Sequence, residues 1–149
     1  MTVFGLGTEG VKRKPRRKEE ADLQCSLVEF LQVALPREAI CFSIPNGGSR
    51  DIREAANLKR QGLLAGCPDL CLIYLGKAFG LELKARKGML SDSQRVTFPR
   101  LQAAGMRVEV ARSFGEAVSI IKEFGIPLKV ANDKYDARDV FRDATRRRA

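Results

Sequence analysis

The sequence predicts an α/β domain, a mixed β-sheet covered by helices, on three observations. Apolar residues recur at helical spacing in several stretches, and short β-branched or aromatic runs lie between them. The two kinds interleave as α, β, α, β, β, α, β, α, with no internal repeat, which is the signature of helices laid on a sheet rather than of separate all-α and all-β parts. At 149 residues the chain suits one domain with a real core.

The elements follow in chain order. From Glu19 to about Leu35, Leu23, Leu27, Phe30, Leu31 and Ala34 recur every three or four residues, an amphipathic helix stopped by Pro36. Glu20 and Gln24 extend that stripe by one turn. Ile40 to Ile44 reads as a strand closed by the tight loop Pro45-Asn46-Gly47-Gly48. A second helix is expected over residues 51–61, ended by Gly62, because glycine accepts the left-handed conformation that closes a helix. Two strands, Asp69 to Leu75 and Ala78 to Lys84, are expected around a turn at Gly76-Lys77. Ser91 and Gln94 have capping-box spacing and open a helix that runs to Gly105. Arg107 to Ala111 alternates as a strand, and residues 113–124 return to helical period. The folded domain is therefore placed at residues 19–131. Residues 1–18 read as a flexible basic arm and residues 132–149 as a basic tail.

Charge and missing residue types narrow the chemistry. Lys and Arg total 27 against 18 Asp and Glu, a net charge of +9, and the excess is concentrated at the two ends. A polyanionic partner is expected, with nucleic acid first. No stretch approaches the roughly 20 apolar residues of a membrane span, and the first seven residues are too short and uncharged for a signal peptide. No membrane partner and an intracellular, cytoplasmic location are expected. The four cysteines, Cys25, Cys41, Cys67 and Cys71, lie in apolar segments without CxxC spacing and read as reduced core thiols. With no histidine in the chain, histidine-based general-base catalysis and Ser-His-Asp or Cys-His arrangements are excluded. Carboxylates, lysine and a hard metal remain.

One segment supplies them. Asp69 stands thirteen residues before Glu82 in Leu81-Glu82-Leu83-Lys84, and strand alternation puts Glu82 and Lys84 on one face. Charged side chains in strands this apolar need a partner or a metal. Two carboxylates from neighbouring strands suit a hard divalent cation with oxygen ligands, Mg²⁺ or Mn²⁺. Such a cation can bind a phosphate oxygen and lower the pKa of an attacking water.

Pro68-Asp69 and Glu82-Leu83-Lys84 resemble the PD and ExK elements of the PD-(D/E)XK nuclease superfamily. The resemblance extends to the VRR-NUC (virus-type replication-repair nuclease) branch over roughly Glu19 to Lys122, through Glu20 with Gln24, Asn46-Gly47-Gly48, Gly66 to Leu70, and Leu90-Ser91-Asp92-Ser93-Gln94. It implies a restriction-endonuclease-like core. It also implies that Asp69 and Glu82 ligate the metal, with the main-chain carbonyl of Leu83 as a further ligand and Glu20 as a candidate that completes the acidic site. Lys84 would serve the nucleophilic water and Gln94 would orient Lys84 or the phosphate. Asn46, Gly47, Gly48, Arg50 and Arg53 are candidate DNA contacts, although the glycines are first a turn signal and the arginines are equally ordinary surface charges.

The function implied is a DNA nuclease hydrolysing phosphodiester bonds, structure-selective on branched DNA such as Holliday junctions or flaps. Recombination or repair would be its setting and a phage its source. Cutting both strands of a symmetric junction would call for a homodimer. The alternative reading is a catalytically inactive DNA-binding module of the same fold, against which the intact acidic groups argue, since they repel phosphate.

Overall fold

The computed structural model describes residues 16–45 and 51–129. Four helices and four strands alternate in the expected order: α1 (Arg16–Ala34), β1 (Ala39–Ser43), α2 (Ile52–Arg60), β2 (Leu70–Tyr74), β3 (Lys77–Leu83), α3 (Asp92–Ala103), β4 (Arg107–Ala111) and α4 (Phe114–Glu123). The strands form one sheet in the order β1-β2-β3-β4. The β1–β2 and β2–β3 pairs are antiparallel, and β3 and β4, joined through α3, are parallel. This is the mixed α/β sheet that the interleaved sequence pattern predicts.

Alternation along the strands divides the sheet into two faces. One face contributes Leu70, Leu72, Phe79, Leu81, Leu83 and Ala111, which pack with Leu27, Phe30, Leu31 and Ala34 of α1 and with Ala117, Ile120 and Ile121 of α4. Phe30 meets Phe114 edge-on at 5.3 Å, which ties the two helices together over the sheet. Leu70, Leu72 and Leu81 are fully buried, each contributing about 1.5–3 kcal/mol relative to exposure. The opposite face carries Gly80 and Glu82 and is covered by α3 on the β3–β4 side. Toward β1 it is open, with Ile40, Phe42 and Ile73 exposed.

Several boundaries differ from the sequence reading. Helix α1 already includes Arg16, Arg17 and Lys18, which composition had placed in the arm. The β2–β3 turn is Leu75-Gly76, one residue earlier than expected, since Tyr74 pairs with Lys77. Leu75 takes φ 48° and Gly76 φ 76°, the double positive φ of a two-residue hairpin matched to strand twist, and exposed Leu75 accepts a conformation that composition would give to glycine or asparagine. The cysteines are all free, but Cys25 is exposed rather than in the core, because it lies off the apolar stripe of α1. Burial, with Cys71 nearby, pushes the Cys41 thiol up to about 11 and keeps it protonated.

Helix ends follow their caps. Ser91 and Gln94 form the full capping box: the Ser91 hydroxyl accepts from Gln94 N–H and the Gln94 side chain accepts from Ser91 N–H. Helix α2 closes on Gly62, φ 98°, with Leu63 N–H donating to the Leu58 carbonyl. No residue of α2 is buried. No helix among the described residues is long and apolar enough to cross a membrane.

Candidate active site

Four elements converge at one end of the sheet. Strand β2 begins there with Leu70 beside Leu81, and β3 ends there at Leu83 beside Ala111 of β4. Strand β1 leaves there, its ladder extended by Ile44 N–H donating to the Asp69 carbonyl at 2.9 Å. Helix α1 brings Glu20 to the same end, where Glu20 Oε1 accepts from Ala85 N–H at 3.0 Å.

Asp69 and Glu82 are locked to each other's backbone neighbourhood. Asp69 Oδ2 accepts from Leu83 N–H at 2.8 Å, and Glu82 Oε2 accepts from Asp69 N–H at 3.2 Å. Glu82, only 1% exposed, has its other oxygen shared: Oε1 accepts from Gln94 Nε2 at 2.6 Å and pairs with Lys84 Nζ at 2.8 Å. A carboxylate this deep requires such donors. The capping box explains why Gln94 can serve. With Gln94 Oε1 occupied by Ser91 N–H, its Nε2 is the end turned to Glu82.

The loop before Asp69 is clamped from two sides. Gly66, at φ 80°, lies against the backbone of Ser93 and Gln94 so closely that a Cβ would come within 2.7 Å of Gln94 N. Thr97 Oγ1 donates to the Ala65 carbonyl at 2.7 Å. Pro68 rests on Gly80, where a Cβ would stand 2.7 Å from its Cγ. The N-terminal turn of α3 thus holds the segment bearing Asp69 and, through Gln94, the carboxylate of Glu82.

Burial pushes both acids above the ordinary carboxylate range. For Asp69, loss of solvent outweighs the Leu83 N–H bond and the Lys84 charge, and the charge of Glu20 adds to the rise. For Glu82, burial outweighs the Lys84 hydrogen bond, and the charge of Asp69 adds to the rise. Lys84 is, among the described residues, the cation that faces the two acids. Among the described residues no group of three or more His, Cys, Asp or Glu side chains is placed to hold a metal ion. One buried and one half-buried carboxylate, with an open remainder, suit Mg²⁺ or Mn²⁺, which keep waters and take substrate oxygens, so the donor set fits such an ion.

The structure therefore brings together Glu20, Asp69, Glu82, Lys84 and Gln94, and Leu83, next to Glu82 in the chain, gives its N–H to Asp69. Gln94 bonds Glu82, where the sequence reading had directed it at Lys84 or phosphate. Gln24, one helical turn beyond Glu20, lines the groove between α1 and β1 with Cys41 and Ser43. Asn46, Gly47, Gly48 and Arg50 lie outside the described residues. Arg53 is exposed on α2. Sequence reasoning missed Arg112, whose Nη2 donates to the Gly88 carbonyl at 3.2 Å, and the structural service of Gly66, Pro68 and Thr97. No periodicity singles out Arg112. Gly66 stood out as the start of the Gly66 to Leu70 motif, but spacing does not reveal its packing against α3.

A mixed sheet with acids from adjacent strand ends and a lysine two residues on defines a restriction-endonuclease-like protein of the PD-(D/E)XK kind. The VRR-NUC domain family model matches residues 11–115, more than half the chain, and the chain belongs to that family. It is similar in fold to a solved structure described as a VRR_NUC domain protein, with a TM-score of 0.59 and 20% identity over 71% of this chain and 87% of that one. A second, described as a VRR_NUC domain, gives a TM-score of 0.50 and 20% identity over 71% of this chain and 97% of that one. No curated protein matches the sequence. The family is of nuclease type.

Proposed function

We propose that the protein is a Mg²⁺- or Mn²⁺-dependent deoxyribonuclease that hydrolyses phosphodiester bonds in branched DNA such as Holliday junctions or flaps. The observation that carries this is buried Glu82, held by Lys84 and Gln94 against Asp69 at an open strand end. Nothing in packing alone accounts for two acids whose ionisation burial opposes.

In this reading Asp69 and Glu82 hold the ion, with the Leu83 carbonyl as a further ligand and Glu20 as an outer carboxylate. A bound ion would polarise the phosphate and acidify a water. Lys84 Nζ has three donors, one of them committed to Glu82, so the others can steady the attacking water or a phosphate oxygen. Gln94 keeps Glu82 aimed, and the basic surface attracts the polyanion. Asn46, Gly47, Gly48, Arg50 and Arg53 are proposed DNA contacts. A recombination or repair setting, an intracellular location and a phage source belong to the same proposal.

Labelled duplex, flap, splayed and four-way-junction DNA should be cut in Mg²⁺ or Mn²⁺, with a branched form preferred, and much less in Ca²⁺. Undiminished cutting in EDTA would remove the metal reading. Binding to every form with no cutting in any metal would make the protein an inactive DNA-binding module. Symmetric cleavage of a four-way junction requires two sites, and we propose that a homodimer supplies them. Light scattering should then show a dimer at cleaving concentrations, and a monomer there would discard it.

A further inference from the structure

The chain leaving the site beyond Lys84 makes a turn whose two tip residues are cations with no acidic partner among the described residues. Gly88 N–H donates to the Ala85 carbonyl at 2.7 Å, closing a four-residue turn with Arg86 and Lys87 at its centre. The turn is fixed at both feet. Ala85, itself buried, gives its N–H to Glu20, and the Gly88 carbonyl accepts from Arg112, whose own backbone N–H is held by Glu116 Oε2 at 2.6 Å. Gly88 is buried so tightly that a Cβ would meet the Ala85 carbonyl oxygen at 3.1 Å and Lys84 Cβ at 3.2 Å.

Three other cations near the sheet have acidic partners within the protein. Lys84 pairs with Glu82, Arg107 with Glu109 and Glu123, and Arg95 with Asp92. Arg86 and Lys87 are exposed, and among the described residues neither has an ion pair. They follow Lys84 by two and three residues, a chain distance of roughly 7–11 Å at most. A rigid turn carrying two unpaired cations this close to a phosphate-handling lysine is preorganised for neighbouring phosphates, since its backbone loses little further freedom on binding.

Resting on the nuclease reading, we propose that the Ala85–Gly88 turn is a phosphate grip. Arg86 and Lys87 bind backbone phosphates that flank the scissile one, and Glu20 and Arg112 are the positioning residues that fix the turn. The ligand class is the sugar-phosphate backbone of DNA, irrespective of base sequence.

The test is the salt dependence of binding. Fluorescence anisotropy of a labelled duplex in EDTA gives the slope of log K against log salt for wild type and the R86A/K87A double variant. A Lys122→Ala control sits on α4 toward the opposite end of the sheet. Each lost phosphate contact lowers the slope by about 0.9, so the double variant should lose about 1.8. The control should lose nothing, and Arg112→Ala should fall between them. Melting temperature and Mn²⁺ affinity of the double variant should match wild type, which a structural role for the turn residues would not allow. An unchanged slope, or an equal fall in the Lys122→Ala control, overturns the grip. If wild type cuts with metal while the double variant keeps the full slope, only the grip fails. If wild type neither binds nor cuts DNA, the nuclease reading itself has failed.

Discussion

Gly66→Ala is expected to destabilise the protein by about 2–5 kcal/mol, far more than a methyl group on a surface loop normally costs. Two effects add. At φ 80° a residue with a Cβ pays roughly 1–2 kcal/mol for the left-handed conformation. The new methyl also meets backbone at Ser93 and Gln94, which is anchored by the capping box and cannot swing aside as a side chain tip would. Overpacking of this kind costs roughly another 1–3 kcal/mol. Gly105→Ala separates the two contributions, since Gly105 has φ 94° but open space around it. Urea unfolding should show a small loss for Gly105→Ala and a much larger one for Gly66→Ala. Mn²⁺ affinity should fall only in Gly66→Ala, because pushing the loop off α3 parts Asp69 from Gln94 and Glu82. Equal losses in the two variants would refute the close approach.

The same contact shows which features of the site are legible in a sequence. Asp69, Glu82 and Lys84 stand out because charge in apolar strands is conspicuous, and alternation alone fixes Glu82 and Lys84 on one side. The capping box of Ser91 and Gln94 is likewise local, with both partners within three residues. What spacing cannot supply is the partner across space. That Gln94 completes a cap and reaches Glu82 with its other end depends on how α3 crosses β3. That Gly66 faces Ser93 depends on a loop packing against a helix 27 residues downstream. The fold order was readable for the same local reason, while the hairpin turn slipped by one residue because Leu75 takes a conformation its side chain disfavours. Cys25 shows the converse error. Composition assigned it to the core, but its position around α1 turns it to solvent.

Asp69→Asn is expected to lower cleavage by at least 10²–10³-fold while leaving DNA binding in place, and at the same time to stabilise the metal-free protein at neutral pH. The loss follows from removing charge where the ion and the developing phosphate charge need it. The gain follows from the direction of the acid shifts. Asp69 and Glu82 both lie above their ordinary values, chiefly through burial, and each opposes ionisation of the other. A carboxyl raised in the folded state favours the protonated fold, so its stabilisation is complete below the ordinary carboxylate range and is lost as pH rises through the raised values. Wild type without metal should therefore lose part of its stability as pH rises above the ordinary carboxylate range, and Asp69→Asn should lose less. Asparagine still offers an oxygen to Leu83 N–H, so the fold keeps that bond. Mn²⁺ should reverse the order. At a hundredfold excess over its dissociation constant it adds about 2.7 kcal/mol to wild type and much less to the variant. Thermal melts at pH 5 and pH 8, with and without Mn²⁺, read all four quantities. A variant that melts below wild type at pH 8 without metal would show that the buried pair is satisfied as it stands. Mn²⁺ raising both proteins equally would show that the ion binds somewhere other than between Asp69 and Glu82.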